Sequence, residues 1–415
     1  MERERLSIVH VTTFYPPHNF GGDGMHVQRL CRALARRGHS VSVVHAPAAH
    51  EMLGRRAARI DIGDNVAHDD AVTVHALDAG WRGALETLLV QQTGKPLLQR
   101  ATLRGLLRGA GDDEVDVIHY HNVSLIGGTG VLAMGDAVKL YTTHEYWLAC
   151  PTHLLFRYDR EICDRRTCYR CTMRNGRPPQ LWRRAGYAED HLDEVDRFIF
   201  PSALAESVYR EQGIKGPGTV LHHFLPDDYF QAAETLGDRA ADVEPYYLFV
   251  GRLDAVKGIE PLVRHFAAGE GAPLVVVGDG RLAPKLHDRF GSHPRIRLLG
   301  GLSPAELGIL YRDALALILP SSGYEIFGLV VLEAFAHGTP AIVTDVAGAA
   351  ELVRAANAGY VYGSAAALDD ALGALSDPAH RNELGANGRA YARRVHRERE
   401  YVDRYEAIIG EVRRR

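Results

Sequence analysis

Glu325 and Glu333 bracket a Phe327-Gly328-Leu329 turn in the run SSGYEIFGLVVLEAFAHGTPAIVTD, residues 321–345. A helix that begins at Gly328 and Leu329 leaves its first N–H groups without partners, and an anion belongs at such an end. Glu325 precedes the turn, and Glu333 lies about one and a half turns inside the helix at ~1.5 Å of rise per residue. Carboxylates accept hydrogen bonds well from sugar hydroxyls. The pair is therefore spaced to hold two sugars on either side of a bridging anion. The bland alternative makes Glu325 a helix-start charge and puts Glu333 on an exposed face, yet the neighbours of Glu333 are apolar.

Upstream, YYLFVGRLDAVKGIEPLV sets Arg252 just beyond a strand-like run and Lys257 at the entry to a helix. A guanidinium forks phosphate oxygens and an ammonium supplies a point charge, so these two cations beside glycines suit a diphosphate. In TTFYPPHNFGGDGMH, Gly21, Gly22 and Gly24 precede another helix. This loop reads either as an anion cradle or as a plain glycine turn. It is not G-x-G-x-x-G, and no acidic residue stands clearly placed for a dinucleotide ribose. His144 and Glu145 follow the strand-like VKLYTT. A histidine at the carboxyl end of a central strand can donate or accept a hydrogen bond in a cleft. A structural role remains open for any one of 21 histidines.

Four of the five cysteines, Cys150, Cys163, Cys168 and Cys171, fall in CPTHLLFRYDREICDRRTCYRC with the spacing C-x12-C-x4-C-x2-C. Such clustering is not how a disulfide scaffold is distributed along a long chain, and in a reducing compartment it points to metal first. Four thiolates suit a structural, tetrahedral zinc; an iron–sulfur cluster, unmetallated thiols and a redox pair are the alternatives. The stretch from Arg157 to Arg184 is dense in arginine. It faces either an anionic acceptor, an anionic membrane surface, or only solvent.

These residues need elements to place them. Strand-like runs alternate with helical patterns from end to end, the signature of parallel sheets covered by helices. Seven runs occupy the first half: LSIVHVT, SVSVVHA, AVTVHAL, VDVIHYH, VKLYTTH, RFIFPS and TVLHH. Six occupy the second: YYLFVGR, PLVVVGD, RIRLLGG, LALILPS, PAIVTD and GYVYG. MHVQRLCRALARRGH has helical apolar spacing and a glycine stop at Gly38. The polar, acidic LPDDYFQAAETLGDRAADVEPYY reads as a hinge, with a boundary near residue 225, and the tail from about Pro378 reads as helix. The expectation is two doubly wound α/β domains, which bind ligands outside the carboxyl ends of their strands. A length of 415 residues favours two cores. A net charge of -4 argues against a general nucleic-acid binder. With no span-length apolar run and no signal-like N-terminus, a cytoplasmic location is expected.

GRLDAVKG followed by EIFGLVVLEAFAHGTPAIVTD strongly resembles the retaining, nucleotide-sugar-dependent glycosyltransferases of family four, which have the GT-B fold. The likeness also takes in the first glycine loop, THEYWLACP and the last helix. It implies a division into 1–224, an acceptor-side Rossmann-like domain carrying the Cys-rich insertion 150–171; 225–395, a nucleotide-sugar-binding Rossmann-like domain; and 396–415, a helix returning to the first domain. It implies that Glu333 binds ribose hydroxyls and Glu325 those of the donor sugar. Arg252 and Lys257 would neutralise the diphosphate with help from amides at Gly328, Leu329 and the Gly21-Gly22 loop, next to Phe327. His144 would sit beside the donor sugar, and the base would stack near Gly278 and Leu299. No catalytic metal is implied, because side chains and helix amides supply the charge stabilisation. Ile326 departs from the small residue usual there, which bears on donor-sugar identity. A UDP-sugar is the favoured donor and the acceptor is unidentified. The competing readings are a non-catalytic nucleotide-sugar sensor or scaffold, and a glycan phosphorylase, for which no pyridoxal phosphate lysine setting is found. Peripheral contact with the inner face of an anionic membrane is a further expectation.

Overall fold

A computed structural model describes residues 4–54, 71–109, 114–186, 191–239 and 242–414. All thirteen strand-like runs form strands. The first group is β1 (Ser7–Val11), β2 (Ser40–His45), β3 (Val72–Ala76), β4 (Val117–Tyr120) and β5 (Val138–Thr142). A short hairpin, β6 (Phe156–Arg157) and β7 (Glu161–Ile162), follows, and β8 (Arg197–Phe200) and β9 (Gly218–Val220) complete the group. The second is β10 (Tyr247–Val250), β11 (Leu274–Val277), β12 (Ile296–Gly300), β13 (Ala316–Leu319), β14 (Ala341–Thr344) and β15 (Gly359–Tyr362).

The sheets run β3-β2-β1-β4-β5-β8-β9 and β12-β11-β10-β13-β14-β15, and every pairing described within them is parallel. Central strands β4, β8, β10, β11 and β13 are buried along their whole length. That follows from apolar, β-branched runs covered by helices on both faces. In each sheet the strand order reverses once, between β1 and β4 and between β10 and β13, and such switch points open a crevice beyond the strand ends.

One expectation needs correction. The polar segment after residue 225 is not a bare hinge but carries the helix Asp227–Leu236. Pro226 precedes it, Asp227 and Asp228 suit its N-terminus, and Phe230 and Ala233 bury against the helices Pro304–Asp313 and Leu329–Ala336. The tail is two helices, Pro378–Val395 and Glu398–Arg413, separated at His396 and Arg397. The second of them packs on the helix Gly22–Arg36 and on β5, with Tyr401, Val402, Tyr405, Ile408 and Ile409 in one core with Leu6, Ile8, Val27, Leu30 and Val43. Among the described residues no helix is long and apolar enough to cross a membrane.

Candidate active site

Gly21 and Gly22, Arg252 and Lys257, and Glu325 and Gly328 follow strands β1, β10 and β13, which flank the two switch points, while His144 follows the neighbouring strand β5. Arg252 comes directly after β10 and Lys257 closes the next short turn, Ala255–Lys257. Gly258 adopts φ +68°, and a Cβ there would lie 1.8 Å from the carbonyl oxygen of Pro320, just past β13. Only glycine lets these two strand ends approach so closely. The closure brings Lys257 Nζ to 2.6 Å from Glu325 Oε1, while Ser321 Oγ donates to Glu325 Oε2 at 2.6 Å. Burial works against the Glu325 charge, but Lys257, Ser321 and Arg252 together outweigh it and hold the carboxyl below its ordinary range. Arg252 is about half exposed and only loosely paired, 3.6 Å from Asp254.

Gly328, at φ +86°, turns the chain into the helix Leu329–Ala336, and a Cβ would press on Ala349 and Leu319 at 3.0 Å. Leu329 is thus the first residue of a helix whose end faces the glycine loop of the other sheet. A Cβ on Gly22 would meet Leu329 Cδ1 at 3.3 Å. The loop after Gly21 starts the helix Gly22–Arg36, three residues earlier than its apolar spacing indicates. Farther along that helix, Arg29 reaches Glu333 Oε1 at 3.4 Å, and Tyr311 donates to Glu333 Oε2 at 3.2 Å. The two halves of the chain therefore meet across Gly22–Leu329 and Arg29–Glu333.

On the first sheet, THEYW follows β5. Consecutive side chains there carry a buried polar atom with no hydrogen-bond partner: His144 Nδ1, Glu145 Oε1, Tyr146 OH and Trp147 Nε1. Buried polar groups are normally satisfied, so such a cluster marks a place built for a polar ligand. The other atoms of His144 and Glu145 are engaged. Glu145 Oε2 bonds His153 Nδ1 at 2.5 Å, and His144 Nε2 bonds His121 Nδ1 at 2.9 Å. His121 Nε2 in turn bonds His10 Nδ1 at 3.0 Å. Burial lowers His10 and His144 to about 3 and drives His121 well below its ordinary value, so all three are neutral near pH 7. A neutral imidazole has one donor and one acceptor nitrogen. The chain His10–His121–His144 therefore couples the tautomers of the three rings, so the role Nδ1 of His144 presents is tied to theirs. Asp23, in the first turn after Gly22, is shifted upward by burial and by the Glu145 charge.

The remaining expected residues are placed as follows. Phe327 is 3% exposed and its ring packs on His223 at 5.0 Å and His222 at 5.8 Å. Ile326 accepts a hydrogen bond from Ser202 through its carbonyl. Gly278 follows β11 and donates to Gly300 O at 2.7 Å, while Leu299, on edge strand β12, is 44% exposed.

Two family models cover the chain. "Glycosyltransferase Family 4" matches residues 20–229 and "Glycosyl transferases group 1" matches residues 238–391. The chain is a family 4 glycosyltransferase. This glycosyltransferase is 27% identical over 377 residues to an uncharacterized glycosyltransferase of Methanocaldococcus jannaschii, covering 84% of this chain and 83% of that one. Sucrose-phosphate synthase from Thermosynechococcus elongatus superposes with a TM-score of 0.69 at 22% identity, over 98% of this chain and 99% of that one. Anabaena HepE in complex with UDP and glucose superposes with a TM-score of 0.67 at 16% identity, over 98% and 100%. The glycosyltransferase has the GT-B fold, two Rossmann-like sheets meeting across a cleft.

Residue patterns did not reveal Arg29, Tyr311, Asp23 or His121 as site residues. Arg29 lies 304 positions from its partner and reads locally as one more basic residue on a helix. The spacing of His119 and His121, one residue apart on a strand, was the available signal, since alternate residues share a face.

Proposed function

We propose that this glycosyltransferase moves a sugar from a nucleoside-diphosphate donor, UDP in the first instance, to a hydroxyl acceptor with retention of anomeric configuration. The observation that carries the reading is the meeting of the helix end at Gly328-Leu329, the Lys257–Glu325 pair and Arg252 at one switch point, with the Gly22 loop opposite. Helix amides and two cations are what a diphosphate leaving group requires. The division into 1–224, 225–395 and 396–415 belongs to the same reading.

In the mechanism the glycosidic C–O bond to the diphosphate breaks first, and charge accumulates on the leaving oxygen, where Lys257 and Arg252 stabilise it. The anomeric carbon becomes oxocarbenium-like. The acceptor oxygen enters on the same face and its proton passes to the leaving phosphate oxygen, so no nucleophilic side chain is needed. Glu325 orients the sugar hydroxyls and holds Lys257 in place. Glu333 takes the ribose hydroxyls, exchanging part of its contact with Arg29 and Tyr311. His144 offers Nδ1 to the sugar from the other wall. HepE, a structural neighbour, has been seen with UDP and glucose, which supports a uridine donor first.

A panel of UDP-, GDP- and ADP-sugars tests this. Slow nucleotide release from a UDP-sugar, with the same anomer in the product by NMR once an acceptor is found, is the expected result. Tight binding without release from any donor would overturn the catalytic reading in favour of a sensor. Release confined to GDP- or ADP-sugars would overturn the uridine assignment alone.

A further inference from the structure

The Cys-rich insertion is not used by the glycosyl-transfer chemistry, and it has its own construction. Cys150, Cys163, Cys168 and Cys171, far apart in sequence terms for so short a segment, line a single cavity of about 20 Å³ together with Pro151, Thr152, Phe156 and Thr167. That is room for one water-sized body. All four cysteines are free thiols, and Thr167 Oγ1 is buried there without a partner. Burial and the neighbouring thiols push Cys163 and Cys168 upward, while Arg166 and Arg183 favour the Cys168 thiolate.

The surrounding backbone is strained. Of five non-glycine residues with positive φ among the described residues, four lie between Cys150 and Cys163: His153, Leu155, Tyr158 and Asp159. The hairpin β6–β7 that follows from this path has only two residues per strand, too little pairing to hold such a conformation by itself. A cross-link through the cavity would hold it.

We propose that these four thiols ligate one zinc ion. Binding converts four S–H groups to thiolates and releases four protons, giving a four-coordinate Zn(Cys)4 centre of net charge -2 beside Arg157, Arg166 and Arg183. No oxidant or reductant is involved. Among the described residues the trio with ligand atoms already within 4.8 Å of one another is His10, His119 and His121, so the thiols stand wider than that and close on the metal to Zn–S distances of about 2.3 Å. The histidine trio is not the metal site. His119 bonds Thr142 and Tyr405, His121 bonds His10 and His144, and only Nε2 of His10 is left without a partner.

The position gives the zinc a consequence. The loop it ties down touches the second half of the chain through Asp159–Arg281, at 3.1 Å, and through Phe156, whose ring would be 2.9 Å from a Cβ on Gly323. It also holds THEYW: the Tyr146 amide donates to His153 O at 3.1 Å, and Arg183 donates to the Trp147 and Leu148 carbonyls. The metal therefore sets the wall of the cleft without entering the reaction.

The inference does not rest on the proposed reaction, and its test reads metal rather than turnover. Full-length protein purified without chelator should carry about one zinc per chain by elemental analysis, released stoichiometrically by a mercurial that titrates the four thiols. Cobalt exchange should give the visible absorption of a tetrahedral thiolate site. Cys168→Ser with Cys171→Ser should lose the metal and gain protease cleavage sites between residues 150 and 186, whereas Cys31→Ser should keep it. If the double variant does not fold, chelation and zinc re-addition on the wild-type chain, followed by proteolysis, decide the matter. Folded protein with less than about a tenth of an equivalent of zinc, a disulfide among these cysteines, or iron in place of zinc would each overturn the assignment.

Discussion

Lys257 and Glu325 were readable as separate ligands, one for phosphate and one for sugar, yet they stand 2.6 Å apart and stabilise each other. A variant at either therefore disturbs both. Lys257→Ala and Arg252→Ala are each expected to lower turnover on the order of 100-fold or more by removing charge stabilisation of the leaving group. Single-turnover kinetics with saturating donor checks this, and wild-type rates for both would remove the diphosphate assignment. Glu333→Ala is expected to act mainly on donor affinity, measured by calorimetry, with a smaller change in turnover. His121 is a positioning residue. His121→Phe breaks the chain from His10 to His144 and is expected to lower kcat on the order of 100-fold while KM changes little. His121→Gln, which can still donate and accept, should restore much of that loss. If Phe and Gln behave alike, the histidine chain serves packing only. Arg252, Lys257 and Glu325 stood out because each lies near a glycine or a helix start, and Glu333 because its neighbours in the helix are apolar. The histidine chain was not, because a buried histidine on a strand has the same local pattern whether or not it meets another.

At the level of elements, the thirteen strands of the two large sheets were legible, since each is an apolar, β-branched run ended by Gly, Pro or a polar pair. The hairpin β6–β7 was not, because its residues alternate with cysteines and arginines that read as chemistry instead. The density of arginine in that stretch also reads differently in three dimensions. Arg157 pairs with Glu161 and Asp164, Arg166 donates to Gln212 O, and Arg183 lies over Trp147 and Trp182. Contacts between the halves were invisible for the same reason of distance along the chain. Glu351 accepts from the Ala203 and Leu204 amides at 3.0 and 2.7 Å, capping the helix Ala203–Glu211 from the opposite half beside its own N-cap, Ser202. Glu351→Ala is expected to cost about 1–2 kcal/mol in chemical denaturation, the range of a lost helix cap. An unchanged midpoint would mean that water replaces the carboxylate without loss.

The molecule as a whole buries neutral histidines: His10, His26, His119, His121, His144 and His223 all lie below their ordinary value of 6.5 through desolvation. The unfolded chain binds protons on these groups more readily than the folded one does. Stability therefore falls as pH drops from about 6.5, by up to ~1.4 kcal/mol per pH unit for each histidine, and is level above it. Thermal scans from pH 8 to pH 5 are expected to show a flat Tm followed by a steep decline, and a Tm that is unchanged at pH 5 would mean these rings are already protonated in the fold. Residues 398–414 matter equally. The helix Glu398–Arg413 places five large side chains in the core of the first sheet, each contributing about 1.5–3 kcal/mol against a typical total of about 5–15 kcal/mol. As a ribosome releases the chain amino end first, the opening sheet must wait for the closing helix, and its core is finished only after everything between has been made. Anyone exchanging the first half between relatives would have to transplant the helix Glu398–Arg413 with it, because the boundary that looks natural at residue 225 cuts one core in two.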